Sequence, residues 1–134
     1  MRRPLSIACA LLCPLALAAC GTTTSTAGFK GTEHDVAQTV ANLQSHITSG
    51  EQKKICGEDL AAPVVKRLGG EAACEATIKD QLAEIDNTEL EVKSVKVSGS
   101  TATAQVKSVE GGKKRVSTVT LAEEGGKWKI VSIG

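Results

Sequence analysis

The 134-residue chain carries 16 lysine and arginine residues against 15 aspartate and glutamate residues, so its formal net charge is +1. A nucleic-acid-binding domain normally shows a strong basic excess, so this class of protein is disfavoured. Phenylalanine and tryptophan occur once each and tyrosine is absent. Aliphatic side chains must therefore form the core, and few aromatic rings are available to stack on flat ligands or sugars.

The N-terminal segment has the residue order of an export signal. Arg2 and Arg3 supply a positive start, residues 5–17 are largely apolar, and Ala18 and Ala19 are small. This order is typical of a secretory signal peptide. The apolar run is shorter than the roughly 20 residues that a membrane-spanning helix needs.

The stretch Leu17-Ala18-Ala19-Cys20 resembles the lipobox of bacterial lipoproteins, where a diacylglyceryl group is attached to the cysteine and the chain is cut before it. The resemblance implies a signal peptide over residues 1–19, lipidation of Cys20 and a location on the extracytoplasmic face of a bacterial cell membrane. The alternative is ordinary cleavage near Ala19. Residues 20–28 are small and uncharged, which predicts a flexible tether after the lipidated cysteine.

Cys56 and Cys74 remain after the signal peptide and Cys20 are set aside. Because an exported domain folds in an oxidising compartment, we expect these two cysteines to form a disulfide. A loop of this size would stabilise the domain by about 3 kcal/mol in the chain-entropy model. The alternative is a metal site with His34 or His46, which no tight ligand spacing supports.

The first predicted element is an amphipathic helix. Thr32 and Asp35 have the spacing of a capping box, and Ser49-Gly50 is a typical helix end. The apolar positions between them recur at helical spacing. They are Val36, Val40, Leu43 and Ile47.

Two further helical regions are expected before the strands. Residues 52–56 predict a short second helix that is interrupted at Gly57, and Pro63 is suited to open another turn. Residues 71–85 predict a third amphipathic helix. Its apolar stripe consists of Cys74, Ile78, Leu82 and Ile85.

After residue 87 the apolar pattern alternates, which predicts four strands over residues 90–98, 101–109, 116–122 and 127–133. Short glycine-containing connections between them are typical of hairpins. The alternation slips once in each of the first three strands. A phase slip is what a β-bulge produces, so we expect three bulges and a strongly curved sheet.

Three features resemble the small secreted NTF2-like lipoproteins of actinobacteria. They are the helix opening at residues 35–40, the cysteine pair 56 and 74, and the Gly-Gly-Lys-Trp ending at residues 125–131. The resemblance implies an α+β domain over residues 29–134. Three N-terminal helices would pack on a curved four-stranded antiparallel meander, an NTF2-like or cystatin-like cone. This superfold hosts many activities, so it does not imply a function.

Enzymes of that fold line a pocket with acids and bases. Here we expect His34 to be exposed, His46 to be solvated or at the boundary of the apolar stripe, and Glu89 and Glu91 to face solvent. Residues 113–115 are basic and predict a solvated hairpin tip, with contact to anionic headgroups as the alternative. The sequence therefore predicts no catalytic residue, no cofactor and no metal site.

The leading hypothesis is a non-enzymatic, lipid-anchored binding or accessory module whose partner is a small apolar ligand, a lipid or an envelope protein. The alternatives are a small NTF2-like enzyme of the dehydratase or isomerase type, and a structural or inhibitory module that acts through its sheet. No nucleic-acid partner is expected. The predicted pocket is apolar, with walls formed by Val40, Leu43, Val106, Val119, Leu121, Trp128 and Ile130.

Overall fold

A computed structural model describes residues 24–85 and 88–134. The predicted signal peptide and the lipidation site Cys20 lie outside the described residues. Helices α1, α3 and α4 span Gly31–Thr48, Ala62–Arg67 and Glu71–Ala83, and α2 (Gln52–Lys54) continues into a π-helical segment, Ile55–Asp59. Strands β1 to β4 span Glu89–Ser98, Thr101–Glu110, Lys113–Glu124 and Lys127–Ile133.

Helix α1 ends where the sequence predicts and begins two residues earlier than expected. Ser49 is its C-cap residue, and Gly50 follows with a φ of +65°, which glycine adopts at little cost. The predicted N-cap at Thr32 is wrong, because Lys30 has the extended conformation of an N-cap residue. Thr32 lies inside the first turn, so the capping box that was expected with Asp35 does not form.

The segment after α1 differs from the prediction of one short helix broken at Gly57. The helix continues through Gly57 as a π-helical turn, in which the Leu60 amide donates to the Ile55 carbonyl at 3.0 Å. A π turn holds one residue more than an α turn, so it rotates the following side chains by about 100° relative to an α-helix. The described part of the chain therefore has four helices where the sequence predicted three.

The four strands form one antiparallel sheet in the order β1-β2-β3-β4. The bulge predicted in β1 is confirmed, because the register shifts between Val92 and Ser94. The bulge predicted in β2 is wrong, since β2 pairs with both neighbours without a shift of its own. In place of the predicted β3 bulge, the β3–β4 register shifts after Thr120 and makes Val131 of β4 the extra residue.

The core lies between α1 and one face of the sheet. Buried side chains of α1, the π-helical segment and all four strands form a single hydrophobic cluster. In contrast, Val116 of β3 is 67 % exposed, because the strand has no bulge that would turn this residue inward. All seven residues predicted to line an apolar pocket belong to the cluster. They are Val40, Leu43, Val106, Val119, Leu121, Trp128 and Ile130.

A disulfide joins Cys56 in the π-helical segment to Cys74 in α4, as predicted. Both cysteines are buried, and their Cα atoms are 6.1 Å apart. The same segment also pairs with β4. Leu60 forms a parallel bridge with Ile130, and the Ala61 amide donates to the Ile130 carbonyl at 2.9 Å. The π-helical segment is thus held between α4 and the edge of the sheet.

The chain before α1 contacts the domain within the segment that the sequence predicted to be a flexible tether. The Thr24 hydroxyl donates to the Leu90 carbonyl at 2.8 Å, and Thr24 is 9 % exposed. Phe29 also packs against the hydrophobic cluster. Of the residues predicted as tether, Thr24 therefore belongs to the folded part. Among the helices of residues 24–85 and 88–134, none is long and apolar enough to cross a membrane.

Candidate functional site

A cleft of about 540 Å³ opens at one end of the sheet. It lies between the N-terminal half of α1, the turn that follows β1, and the turn that leads into β4. The end of the π-helical segment also contributes to it. The lining residues are Thr32, Asp35, Gln38, Thr39, Asn42, Glu58, Asp59, Val97, Gly99, Glu123, Gly126, Lys127 and Trp128.

The cleft includes a buried carboxyl group, Asp59, which is paired with a histidine. Asp59 is 2 % exposed, and its Oδ2 lies 2.7 Å from Nδ1 of His46 on α1. The imidazole donates this hydrogen bond when Asp59 is ionised, and the protonated carboxyl can donate it to a neutral imidazole. The side chain of His46 is thus fixed against the carboxyl group of Asp59.

Burial raises the pKa of the Asp59 carboxyl, because the ionised form loses its hydration. The hydrogen bond and the charge of His46 act in the opposite direction, lowering the pKa, and burial outweighs them. Glu58, the preceding residue, raises the pKa of Asp59 further through like-charge repulsion. A buried carboxyl with a raised pKa beside a cleft is a typical feature of a functional site.

The local fold explains how Asp59 reaches this position. Ile55 and Asp59, at the two ends of the π-helical segment, are both 2 % exposed, so this turn carries both side chains inward. The parallel bridge at Leu60 then fixes the end of the π-helical segment against β4. The Lys129 side chain also donates to the Gly57 carbonyl at 3.0 Å. These contacts bring Asp59 within hydrogen-bonding distance of α1.

The rest of the cleft lining is mostly polar. Three further carboxyl groups (Asp35, Glu58 and Glu123) outnumber one lysine, Lys127. Two side-chain amides and two hydroxyls from α1 add both donors and acceptors. Trp128 also lines the cleft, but it is 9 % exposed and packs mainly in the core. The cleft therefore suits a small ligand that donates hydrogen bonds to carboxylates.

Several predicted residues lie elsewhere. The seven residues expected around an apolar pocket pack together in the core. Of these seven, Trp128 also lines the cleft. Glu89 and Glu91 are exposed as predicted, and a hydrogen bond from Lys93 lowers the pKa of Glu91. His34 is half-exposed and lies near Thr26.

The sequence predicted that His46 is solvated or lies at the boundary of the apolar stripe, and its side chain is 13 % exposed. Sequence reasoning missed Asp59, the hydrogen-bond partner of this histidine. No periodic signal pointed to Asp59, because a π turn departs from the spacing of an α-helix. Within residues 24–85 and 88–134, no group of three or more histidine, cysteine, aspartate or glutamate side chains is arranged to hold a metal ion.

Comparison with known proteins identifies a family. A family model described as "Putative lumazine-binding", of the NTF2-like type, matches residues 39–133. The match covers most of the chain, including the second half of α1, the disulfide and all four strands. No curated protein and no solved structure matches the chain.

Proposed function

Because this chain belongs to the family described as "Putative lumazine-binding", we propose that it is a binding module for a small, flat, polar ligand held in the cleft beside Asp59. The observation that carries the proposal is the cleft itself. Its volume of about 540 Å³ is in the range of small-molecule sites, and its lining combines an indole with convergent polar groups. A pteridine-like heterocycle, the class to which lumazine belongs, has the matching chemistry.

The expected contacts follow from the lining. The part of Trp128 that borders the cleft would contact the ligand ring, since aromatic pairs are favourable in edge-to-face as well as offset-stacked arrangements. Ring N–H groups would donate to the carboxylates, and the amides of Gln38 and Asn42 would bind ring carbonyls. We therefore propose a polar ligand and not the apolar ligand that the sequence predicted, because the aliphatic residues expected around the apolar ligand are packed in the core.

We place this module on the extracytoplasmic face of a bacterial membrane, held there by a lipid on Cys20. The lipobox-like sequence Leu17-Ala18-Ala19-Cys20 supports the anchor. The Cys56–Cys74 disulfide is consistent with export, because disulfides persist in oxidising compartments. In this position the protein would capture its ligand outside the cytoplasm.

Fluorescence of the sole tryptophan, Trp128, tests the binding proposal. Titration with lumazine should give a saturable change in emission. Asp35→Asn removes a carboxylate that lines the cleft and should weaken binding several-fold, whereas Asp80→Asn removes an exposed carboxylate of α4 and should not. Emission that stays constant with lumazine and a panel of related heterocycles would refute the proposal.

A second candidate function, a small dehydratase or isomerase, is favoured by the His46–Asp59 pair. A buried carboxyl that lines the cleft could exchange a proton with a bound ligand through Oδ1, while His46 holds Oδ2. Mass spectrometry of ligand recovered from the protein separates the two functions. A binding module returns its ligand unchanged, whereas an enzyme returns a product whose formation Asp59→Asn abolishes.

A further inference from the structure

The basic residues of the β2–β3 hairpin lie at the end of the sheet where β1 begins. In the register of the three strands, Leu90 of β1 pairs with Ser108, which pairs with Arg115. Neighbouring strands are about 4.8 Å apart, so the Cα of Arg115 lies roughly 10 Å from that of Leu90. Lys114 lies in the next row, opposite Val109.

The N-terminal chain enters the domain at this same end. Thr24 is hydrogen-bonded to the carbonyl of Leu90 and is buried there. Cys20 precedes Thr24 by four residues, and four residues span at most about 14 Å. A lipid on Cys20 would therefore hold this end of the domain, and the hairpin with it, close to the bilayer surface.

Charge is distributed unevenly between the two ends of the sheet. Glu91, an acid near the hairpin, is already paired with Lys93 at 3.0 Å and Lys107 at 3.7 Å. Within the described residues, no carboxylate lies within 4.0 Å of the charged groups of Lys114 or Arg115, and both residues are exposed. The cleft at the opposite end is lined by four carboxyl groups and one lysine.

We infer that the β2–β3 hairpin is a membrane-contacting element, in which Lys113, Lys114 and Arg115 bind anionic lipid headgroups. The inference rests on the lipid anchor proposed at Cys20. Contact at the hairpin turns the acidic cleft away from the bilayer and towards solvent. Headgroup attraction per basic residue corresponds to about a fivefold change in equilibrium. Glu110, the exposed register partner of Lys113, offsets one of the three positive charges, so the docked orientation is favoured by roughly 25-fold.

The test uses the full lipidated chain in vesicles of neutral phosphatidylcholine, with or without phosphatidylglycerol. A fluorescent dye is attached at Glu110→Cys beside the hairpin or at Ser100→Cys in the turn after β1, and a nitroxide on the lipid headgroups quenches it. With phosphatidylglycerol present, the dye at position 110 should be quenched more than the dye at position 100. Lys113→Gln/Lys114→Gln/Arg115→Gln should remove this difference in the same labelled chains.

A matched variant, Lys53→Gln/Lys66→Gln/Lys79→Gln, removes three exposed charges from the helices and should keep the difference. Added salt should abolish it, because the Debye length falls to about 3 Å at 1 M salt. Equal quenching at both positions, or a difference that survives loss of the three hairpin charges or of the anionic lipid, would overturn the inference.

Flotation with neutral vesicles tests the lipid anchor separately, because neutral headgroups do not attract the basic residues of the hairpin. The wild-type chain should float and Cys20→Ser should not. A wild-type chain that fails to float refutes the anchor and the orientation together. A chain that floats without a difference in quenching refutes the hairpin contact alone.

Discussion

The two ends of the sheet contain ionisable groups in opposite environments. At the cleft end, Asp59 is buried and hydrogen-bonded to His46, so removal of its side chain disturbs a packed structure. At the hairpin end, Lys114 and Arg115 are exposed, and within the described residues no carboxylate lies close enough to form an ion pair with them. Charges at the first end are therefore coupled to folding, whereas those at the second are available to a partner at little cost in stability.

The largest expected effect comes from the disulfide, which holds the π-helical segment that carries Asp59. Cys56→Ala should lower the free energy of unfolding by about 2–5 kcal/mol, because the bridge constrains the unfolded chain. Urea denaturation measures the loss, and reduced wild-type protein is the matched reference. A cost below about 1 kcal/mol, within the range of ordinary surface substitutions, would contradict this account.

Neighbouring acids provide the sharpest comparison of buried with exposed carboxyl groups. Asp59→Ala should cost about 1–3 kcal/mol, because His46 keeps a buried polar atom without its partner. Glu58→Ala, one residue earlier and exposed, should change stability by no more than about 0.5 kcal/mol. Equal losses in the two variants would show that Asp59 is not energetically distinct from its exposed neighbour.

The raised pKa of Asp59 makes this end of the molecule sensitive to pH. Between the ordinary and the raised pKa the folded state binds more protons than the unfolded state, so the contribution of Asp59 to stability falls as pH rises through that window. Below the ordinary pKa the contribution is fully present. Asp59→Asn should lose this dependence, and denaturant titrations of both proteins across the acidic range measure the difference. A free energy of unfolding that rises with pH in the wild-type protein relative to Asp59→Asn would contradict the raised pKa.

The smallest effect is expected at the hairpin end. Lys113→Gln/Lys114→Gln/Arg115→Gln should change the free energy of unfolding by about 0.5 kcal/mol or less, because these side chains are exposed. Thermal or urea unfolding of the variant checks this directly. A loss of more than about 1 kcal/mol would mean that the hairpin charges stabilise the fold, and the contrast between the two ends would be lost.

The strands could be predicted from the sequence more reliably than the bulges within them. Alternating apolar residues between glycine-containing connections predicted all four strands, because hairpin turns need glycine's backbone freedom and strands have a period of two. Two of the three predicted bulges were wrong, since a phase slip can also leave a valine such as Val116 exposed. The extra residue in β4, Val131, was missed although the apolar positions change phase there too, from Trp128 and Ile130 to Val131 and Ile133.

The candidate site was less predictable than the fold. The disulfide could be predicted from the oxidising compartment expected for an exported domain and from the number of cysteines that remain in it. The pairing of His46 with Asp59 depends on a π turn and on the bridge between Leu60 and Ile130, and both are set by tertiary contacts. The low helix propensity of Gly57 predicted a break in the helix, but the packing of the buried Cys56 and Ile55 keeps the segment helical.

The central claim, that the cleft end binds a small flat ligand, is tested most directly by two-dimensional amide NMR during a lumazine titration. The single indole N–H signal of Trp128 and the side-chain amide signals of Gln38 and Asn42 should shift in a saturable manner, while the backbone signals of Lys114 and Arg115 stay in place. Shifts confined to the hairpin end, or no saturable shift at the cleft with lumazine or related heterocycles, would contradict the claim.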